Sequence, residues 1–206
     1  MGQRHSLLLA ACLLPMVAQA GVELTPFAGY RLGGDFEVRS AGASTTEDLT
    51  FDDTRSLGLT LNVDLAETGK QAELYVARQE TRVHPSEPIF TPTATALDVV
   101  IYQLQFGGLY FPEGGTTGAF VSGVAGLTRL EPKPDGLRNH NRASISLGGG
   151  YKLPLSQNLL MRFDLRGIYT ALDSGASVFC SGGCAAVFDS SGFIQVEASA
   201  GLTLRF

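Results

Sequence analysis

The sequence predicts an all-β chain: a single-domain, eight-stranded antiparallel up-and-down transmembrane β-barrel. Three observations carry that prediction. Apolar and polar residues alternate with a period of two in one segment after another; most of these segments have the roughly ten residues that a tilted strand needs to cross a bilayer; and the connections between them are short and long by turns. Successive side chains of a strand point to opposite faces, so sustained alternation means a sheet with one apolar and one polar side.

The chain opens differently. Met1 to Ser6 carries one Arg and no acid, Leu7 to Val17 is an apolar run too short to span as a helix, and Ala18-Gln19-Ala20 has the small-x-small pattern of a signal peptidase site. Residues 1–20 therefore read as a signal peptide cleaved before Gly21, and 21–206 as the barrel domain. Leu9-Ala10-Ala11-Cys12 looks like a lipoprotein processing box, but few apolar residues precede the cysteine and the apolar run continues past it.

The clearest strand sets Leu57, Leu59, Leu61, Val63 and Leu65 against Ser56, Gly58, Thr60, Asn62 and Asp64. Ala143 to Leu153 and Ile194 to Phe206 alternate as cleanly, and Val22 to Leu32, Ala72 to Arg82, Asp98 to Tyr110, Gly118 to Leu130 and Leu159 to Thr170 complete the eight. The segment Gly118 to Leu130 has apolar residues on both parities, which leaves its facing open. Between the strands, 66–70, 111–117 and 154–158 are short turns, whereas 33–53, 83–97, 131–141 and 171–191 are long loops. Short periplasmic turns and long external loops are the arrangement of bacterial outer-membrane barrels, so both ends of the domain are expected on the periplasmic side. Tyr110, Phe111, Tyr151 and Phe206 then fall near one interface and Tyr30, Tyr169 and Phe193 near the other, as aromatic girdles.

Charge placement assigns the two faces. Arg162, Asp164 and Arg166 share one parity, while Leu159, Met161, Phe163 and Leu165 share the other. An Arg facing lipid at the midplane costs about 2–4 kcal/mol, so the charged parity faces the lumen. Extended to every strand, the rule places Glu23, Arg31, Asp64, Glu73, Gln103, Gln105, Lys152, Arg162, Asp164, Arg166, Glu197 and Arg205 inside. An eight-stranded barrel is just wide enough for its own side chains, and charges buried there need partners; acids and bases are expected to pair across the lumen and fill it. A narrow polar channel is the alternative.

Net charge is -5 for the full sequence, and loss of the single Arg in residues 1–20 makes it -6; an acidic, unclustered chain excludes nucleic acid as a partner. Past the signal, no apolar run is long enough for a spanning helix.

The ending Ala200-Gly201-Leu202-Thr203-Leu204-Arg205-Phe206, with Gly201, Leu202, Leu204 and the terminal Phe206 as its marks, resembles the assembly signal read by the outer-membrane insertion machinery. With the eight segments, residues 21–206 resemble the small outer-membrane β-barrel families typified by the OmpA membrane domain and OmpX. The resemblance implies fold and compartment: a monomer in the outer membrane, in contact with its lipids and lipopolysaccharide. The sequence stops at Phe206, so no peptidoglycan-binding domain is expected to follow. The superfamily hosts adhesins, complement-evasion proteins, lipid A enzymes and narrow channels, so fold does not choose among them.

Site chemistry is sparse. Cys180 and Cys184 flank Ser181-Gly182-Gly183 in the last long loop and are expected to form a disulfide that rigidifies its tip. No further Cys or His nearby makes them a metal pair. His84-Pro85-Ser86 matches the H-x-S pairing of a lipid A deacylase of this barrel class, with His as base and Ser as nucleophile, but no carboxylate can be placed beside it from sequence. Asn139 to Arg142, with Arg129, Lys133 and Arg138, could meet lipopolysaccharide phosphates. The acidic stretch Glu47 to Asp53 lacks the ordered oxygen spacing of a calcium site. Pro85, Pro88, Pro92, Pro132 and Pro134 deny backbone donors, so little sheet is expected beyond the membrane. The reading is a non-enzymatic structural or surface-interaction barrel without cofactor or metal, with lipid A modification and passive solute transport as alternatives.

Overall fold

The computed structural model describes residues 21–40, 46–85, 97–133, 139–172, 186–188 and 192–206. Ala18, Ala20, Cys180, Cys184, Ser86 and Arg138 lie outside the described residues, and so therefore do the signal peptide and the expected disulfide.

Among the described residues there are eleven strands: β1 (Val22–Gly33), β2 (Phe36–Ser40), β3 (Thr46–Phe51), β4 (Thr54–Asp64), β5 (Lys70–Pro85), β6 (Leu97–Tyr110), β7 (Gly118–Pro132), β8 (His140–Pro154), β9 (Leu159–Ala171), β10 (Ala186–Phe188) and β11 (Gly192–Arg205). Eight of them close a barrel. Around it the order is β1, β4, β5, β6, β7, β8, β9, β11 and back to β1, with every pair antiparallel. Among the described residues no helix is long and apolar enough to cross a membrane; the crossing belongs to the strands.

The register fixes the barrel's shape. From Ala28, partners run one way through Leu57, Arg78 and Tyr102 to Arg129, and the other way through Ala200, Phe163 and Tyr151 to Ala119. Both paths end on β7, and 129 minus 119 is a stagger of ten residues. With ordinary strand spacings, that stagger over eight strands tilts them roughly 40° from the axis, the usual inclination for a small membrane barrel.

The outward face is the apolar one. Leu57 and Leu147 are each 64% exposed, and Leu104, Phe106, Leu127, Leu165 and Ile194 also stand out from the wall. No water-soluble chain would leave so continuous an apolar belt uncovered, whereas lipid covers it at no cost. On β7, Phe120, Val124, Thr128 and Leu130 point inward and Val121 and Leu127 outward, which settles the facing that its double apolar pattern left open. Tyr30, Tyr110, Tyr151 and Tyr169 are exposed at the strand ends, but Phe111 and Phe193 are not part of a girdle: both are buried inside, Phe111 against Phe120 and Phe193 against Phe51.

The external side differs most from expectation. The span 33–53 is not a plain loop: β2 and β3 pair with each other, β10 pairs with β2, and β3 pairs with the outer end of β5, so the sheet continues past the barrel rim. Pro85 does not stop this, because it is the last residue of β5 and its missing N–H falls where the ladder ends; Pro132 closes β7 in the same way, opposite Val99. Residues 47–51 of the acidic stretch thus become strand, with Leu49 and Phe51 buried, and Asp52 and Asp53 form the link to β4.

Candidate functional site: the packed lumen

Each lumenal side chain is positioned by strand parity, and the inward set forms four layers, three polar and one apolar. At the end of the barrel that carries its two termini, Lys152 on β8 donates to Glu23 on β1 and to Gln71 Oε1 on β5 at 2.7 Å. Arg205 on β11 also grips Glu23, its Nε at 2.9 Å from Oε1, and reaches Thr116 Oγ1 at 2.6 Å in a turn. Gln71 Nε2 passes the chain on to Asp64 Oδ1 at 2.6 Å. The Lys152 ammonium lies over the Phe111 and Phe120 rings, 5.4 and 6.0 Å from their centroids, so its apolar neighbours are themselves electron-rich.

The middle layer centres on Arg162. Its guanidinium clasps Asp164 through Nε and Nη2, both at 2.7 Å, while Nη2 also donates to Glu73 Oε2 at 2.7 Å and Nη1 to Asn62 Oδ1 at 2.9 Å. Such bidentate, charge-assisted bonds are the strong kind, and a planar fork can make them where an ammonium cannot. Asn62 Nδ2 donates to the same Glu73 oxygen at 3.1 Å, and Arg166 Nη2 reaches both Glu73 Oε1 at 3.3 Å and Asp164 Oδ1 at 3.0 Å. Arg162 stacks over Phe120 at 4.9 Å and Arg166 over Tyr75 at 4.3 Å.

Just outward, Arg31 Nε donates to Glu197 Oε2 at 2.6 Å and Nη2 to the Tyr75 hydroxyl at 2.9 Å, which itself donates to Glu197 Oε1 at 2.8 Å. Ser56 Oγ adds a bond to Glu197 Oε2 at 2.7 Å. Arg31, Glu73, Lys152 and Glu197 are fully buried, and Glu23, Asp64, Glu73, Asp164 and Glu197 balance Arg31, Lys152, Arg162, Arg166 and Arg205 one for one. Pairing of this kind lowers the penalty for isolating charge from water, although Asp64 is held by Gln71 and not by a cation, and Nε and Nη1 of Arg166 have no hydrogen-bond partner among the described residues.

The outermost layer is apolar, which the lumenal list read from charge alone did not contain. Val83, Val99, Ile101, Leu130 and Phe193 point inward beneath Leu49 and Phe51. Val99 and Ile101 share the parity of Gln103 and Gln105 on β6, so period two places them inward, whereas charge, the guide to the lumenal face, is silent about them. Tyr75, the hub joining Arg31, Glu197 and Arg166, shares the parity of Glu73 and carries no charge to mark it in the sequence. Gln105 pairs with Ser144 and Ser146 at 2.8 and 2.6 Å, whereas both amide atoms of Gln103 lack a hydrogen-bond partner among the described residues.

The other sequence candidates lie apart from this network. His84 on β5 is exposed and its Nε2 is 3.0 Å from Asp52 Oδ1, so a carboxylate does stand beside it; β3 crosses next to β5 and delivers the acid from more than thirty residues away, beyond the reach of local spacing. His140 and Arg142 have the inward parity of Ser144, with Arg142 Nη2 at 3.4 Å from His140 Nδ1, so they turn toward the lumenal mouth and away from lipid headgroups. Arg129 pairs with Glu131 on the outer wall at 3.2 Å, and Lys133 with Glu80 at 2.7 Å. Among the described residues no cluster of His, Cys, Asp and Glu could hold a metal. Gly201, Leu202 and Leu204 lie on β11, and the Phe206 N–H donates to the Val22 carbonyl at 2.9 Å, tying the end of the chain to β1.

A closed antiparallel barrel of eight strands with an apolar exterior and a polar, ion-paired interior is the architecture of an integral membrane barrel of the outer-membrane type. Solved structures share it. The chain is similar to Neisserial surface protein A, with 12% identity and a TM-score of 0.51 over 90% of this chain and 97% of that one. It is similar too to the outer membrane protein OprG from Pseudomonas aeruginosa, with 15% identity and 0.54 over 89% and 95%, and to the outer membrane protein AlkL in lipid bilayers, with 11% identity and 0.52 over 91% and 90%. At such identities the likeness is one of fold. No family model and no curated protein matches the sequence.

Proposed function

We propose that the protein is a non-conducting barrel of the outer membrane, a structural or surface-interaction protein whose external strands and loops make its contacts. The observation behind this reading is the doubly obstructed lumen. An ion entering from outside meets the layer of Val99, Ile101, Leu130 and Phe193, then a charge-balanced network in which the carboxylates of Glu73 and Glu197 already hold arginine partners. Passage would require breaking buried charge pairs without water to replace them, at several kcal/mol each. Purified protein in planar bilayers is expected to give no conductance steps in molar KCl; steps whose size rises with salt would overturn the closed-lumen reading.

A second reading, modification of lipid A, draws on the His84–Asp52 pair, because a carboxylate on imidazole is the usual way to orient a general base. The pair is half exposed on the external extension, open to water on the side the described residues define, so the non-enzymatic reading is preferred. Lipid A from cells expressing the protein is expected to have the same mass as from cells expressing His84→Ala or none; an acyl chain lost only with the parent protein would reverse the preference.

A further inference from the structure

The outer wall of the barrel has a cleft that brings charged side chains into surroundings that are otherwise apolar. Tyr30 on β1, Arg55 and Leu57 on β4, and Arg78 and Glu80 on β5 line a cavity of about 530 Å³ that opens sideways, with Asp53 at its external rim. The cleft lies within the lipid-facing belt. Arg55 is the register partner of Tyr30 and Arg78 of Leu57, and Leu32, two residues closer to the outside than Tyr30, is still exposed and apolar.

We propose that this cleft binds the phosphorylated headgroup of an outer-leaflet glycolipid, with Arg55 and Arg78 as its phosphate ligands and Leu57 beneath them against the acyl chains. The charges support an anion. Glu80 is shared by Arg78 and Lys133, and the Asp53 carboxylate accepts from the Gly33 N–H at 3.1 Å, so Arg55, Arg78 and Lys133 face two carboxylates and leave an excess of one positive charge. The Arg55 guanidinium has no hydrogen-bond or ion-pair partner among the described residues, and Arg78 beside it, which gives Nη2 to Glu80 and Nε to the Tyr102 hydroxyl, keeps Nη1 for a ligand. A free guanidinium fork with a second guanidinium beside it, at the boundary between headgroups and acyl chains, suits a phosphomonoester fixed to lipid, since the apolar floor holds the chains while Arg55 makes a bidentate bond above and Arg78 adds a single one. Arg129, Arg82 and Lys133 are, like Arg78, each matched to an acid, so the unpartnered Arg55 is what sets this cleft apart. The inference rests on the outer-membrane placement but not on a closed lumen.

The test is native mass spectrometry of the detergent-refolded full barrel titrated with bisphosphorylated lipid A, with dephosphorylated lipid A and inorganic phosphate as parallel probes. The parent protein is expected to retain one bisphosphorylated lipid, to bind the dephosphorylated one at least tenfold more weakly, and to be indifferent to millimolar inorganic phosphate. Arg55→Gln with Arg78→Gln should lower the affinity at least tenfold, whereas Arg129→Gln should leave it unchanged. Equal binding of both lipids, displacement by inorganic phosphate, or parent-like affinity in the double variant would each overturn the site. Arg55→Gln alone removes no contact within the protein, so it provides a folded variant with the same expectation in weaker form. A negative result would leave the conductance measurement untouched, and conductance would leave this one untouched.

Discussion

Arg162→Met is expected to destabilise the barrel by about 3–5 kcal/mol, because it breaks a buried ion network from one side only. Met occupies much of the same space and keeps a contact with the Phe120 ring, so the loss comes from the charges left behind. Glu73 would retain Asn62 and a long bond from Arg166, and Asp164 only Arg166, with both carboxylates inside the wall. The partner of this experiment is Glu73→Gln in the Arg162→Met background. Removing the stranded charge should restore part of the loss, and a double-mutant cycle should give a coupling well above 1 kcal/mol. The chain has no Trp, so folded and unfolded forms are best followed by the gel mobility of unheated samples across a urea series. A loss within about 0.5 kcal/mol, the range of ordinary surface substitutions, would mean that water reaches the network and that the lumen is wetter than the geometry implies.

The fold was legible because its defining signal repeats. Period-two alternation over eight segments fixes both the number of strands and which face meets lipid, and alternating connection lengths fix the direction of the walk. Which lumenal residues meet was not legible: Arg31 finds Glu197, and Arg162 finds Glu73, across sequence separations of 166 and 89 residues, and those meetings depend on the ten-residue stagger. Stagger is set by turn geometry and by where small residues let strands coil, neither of which leaves a periodic trace. The same blindness hid the external extension, since β2, β3 and β10 are five, six and three residues long and too short for a period to declare itself. Phe111 and Phe193 were misassigned for a related reason: at a strand end the parity is soft, and an aromatic suits a girdle and a lumenal cap equally well.

Lumen filling and wall shape are two sides of one constraint, and Gly150 is where they meet. It lies on the inward face of β8, where an added Cβ would sit 2.0 Å from the Phe163 carbonyl oxygen and 2.6 Å from Phe120 Cζ. The first contact is backbone of the adjacent strand and cannot step aside without opening the β8–β9 ladder. The second is the ring on which Arg162 and Lys152 lie, so the space left by the absent side chain is occupied by the platform of two buried cations. Gly150→Val is therefore expected to destabilise by about 3 kcal/mol or more, combining overpacking with loss of ladder bonds, and to leave most of the protein at the unfolded gel mobility after refolding into detergent. Gly167→Ala is the matched control: it lies on the neighbouring strand, and its Cβ would meet only the Leu147 carbonyl at 3.9 Å, an ordinary contact. It should refold like the parent. If the two variants refolded alike, the close approach of β8 to β9 and to the Phe120 ring would not be what sets the curvature of this wall, and the cations above that ring would owe their position to their carboxylate partners alone.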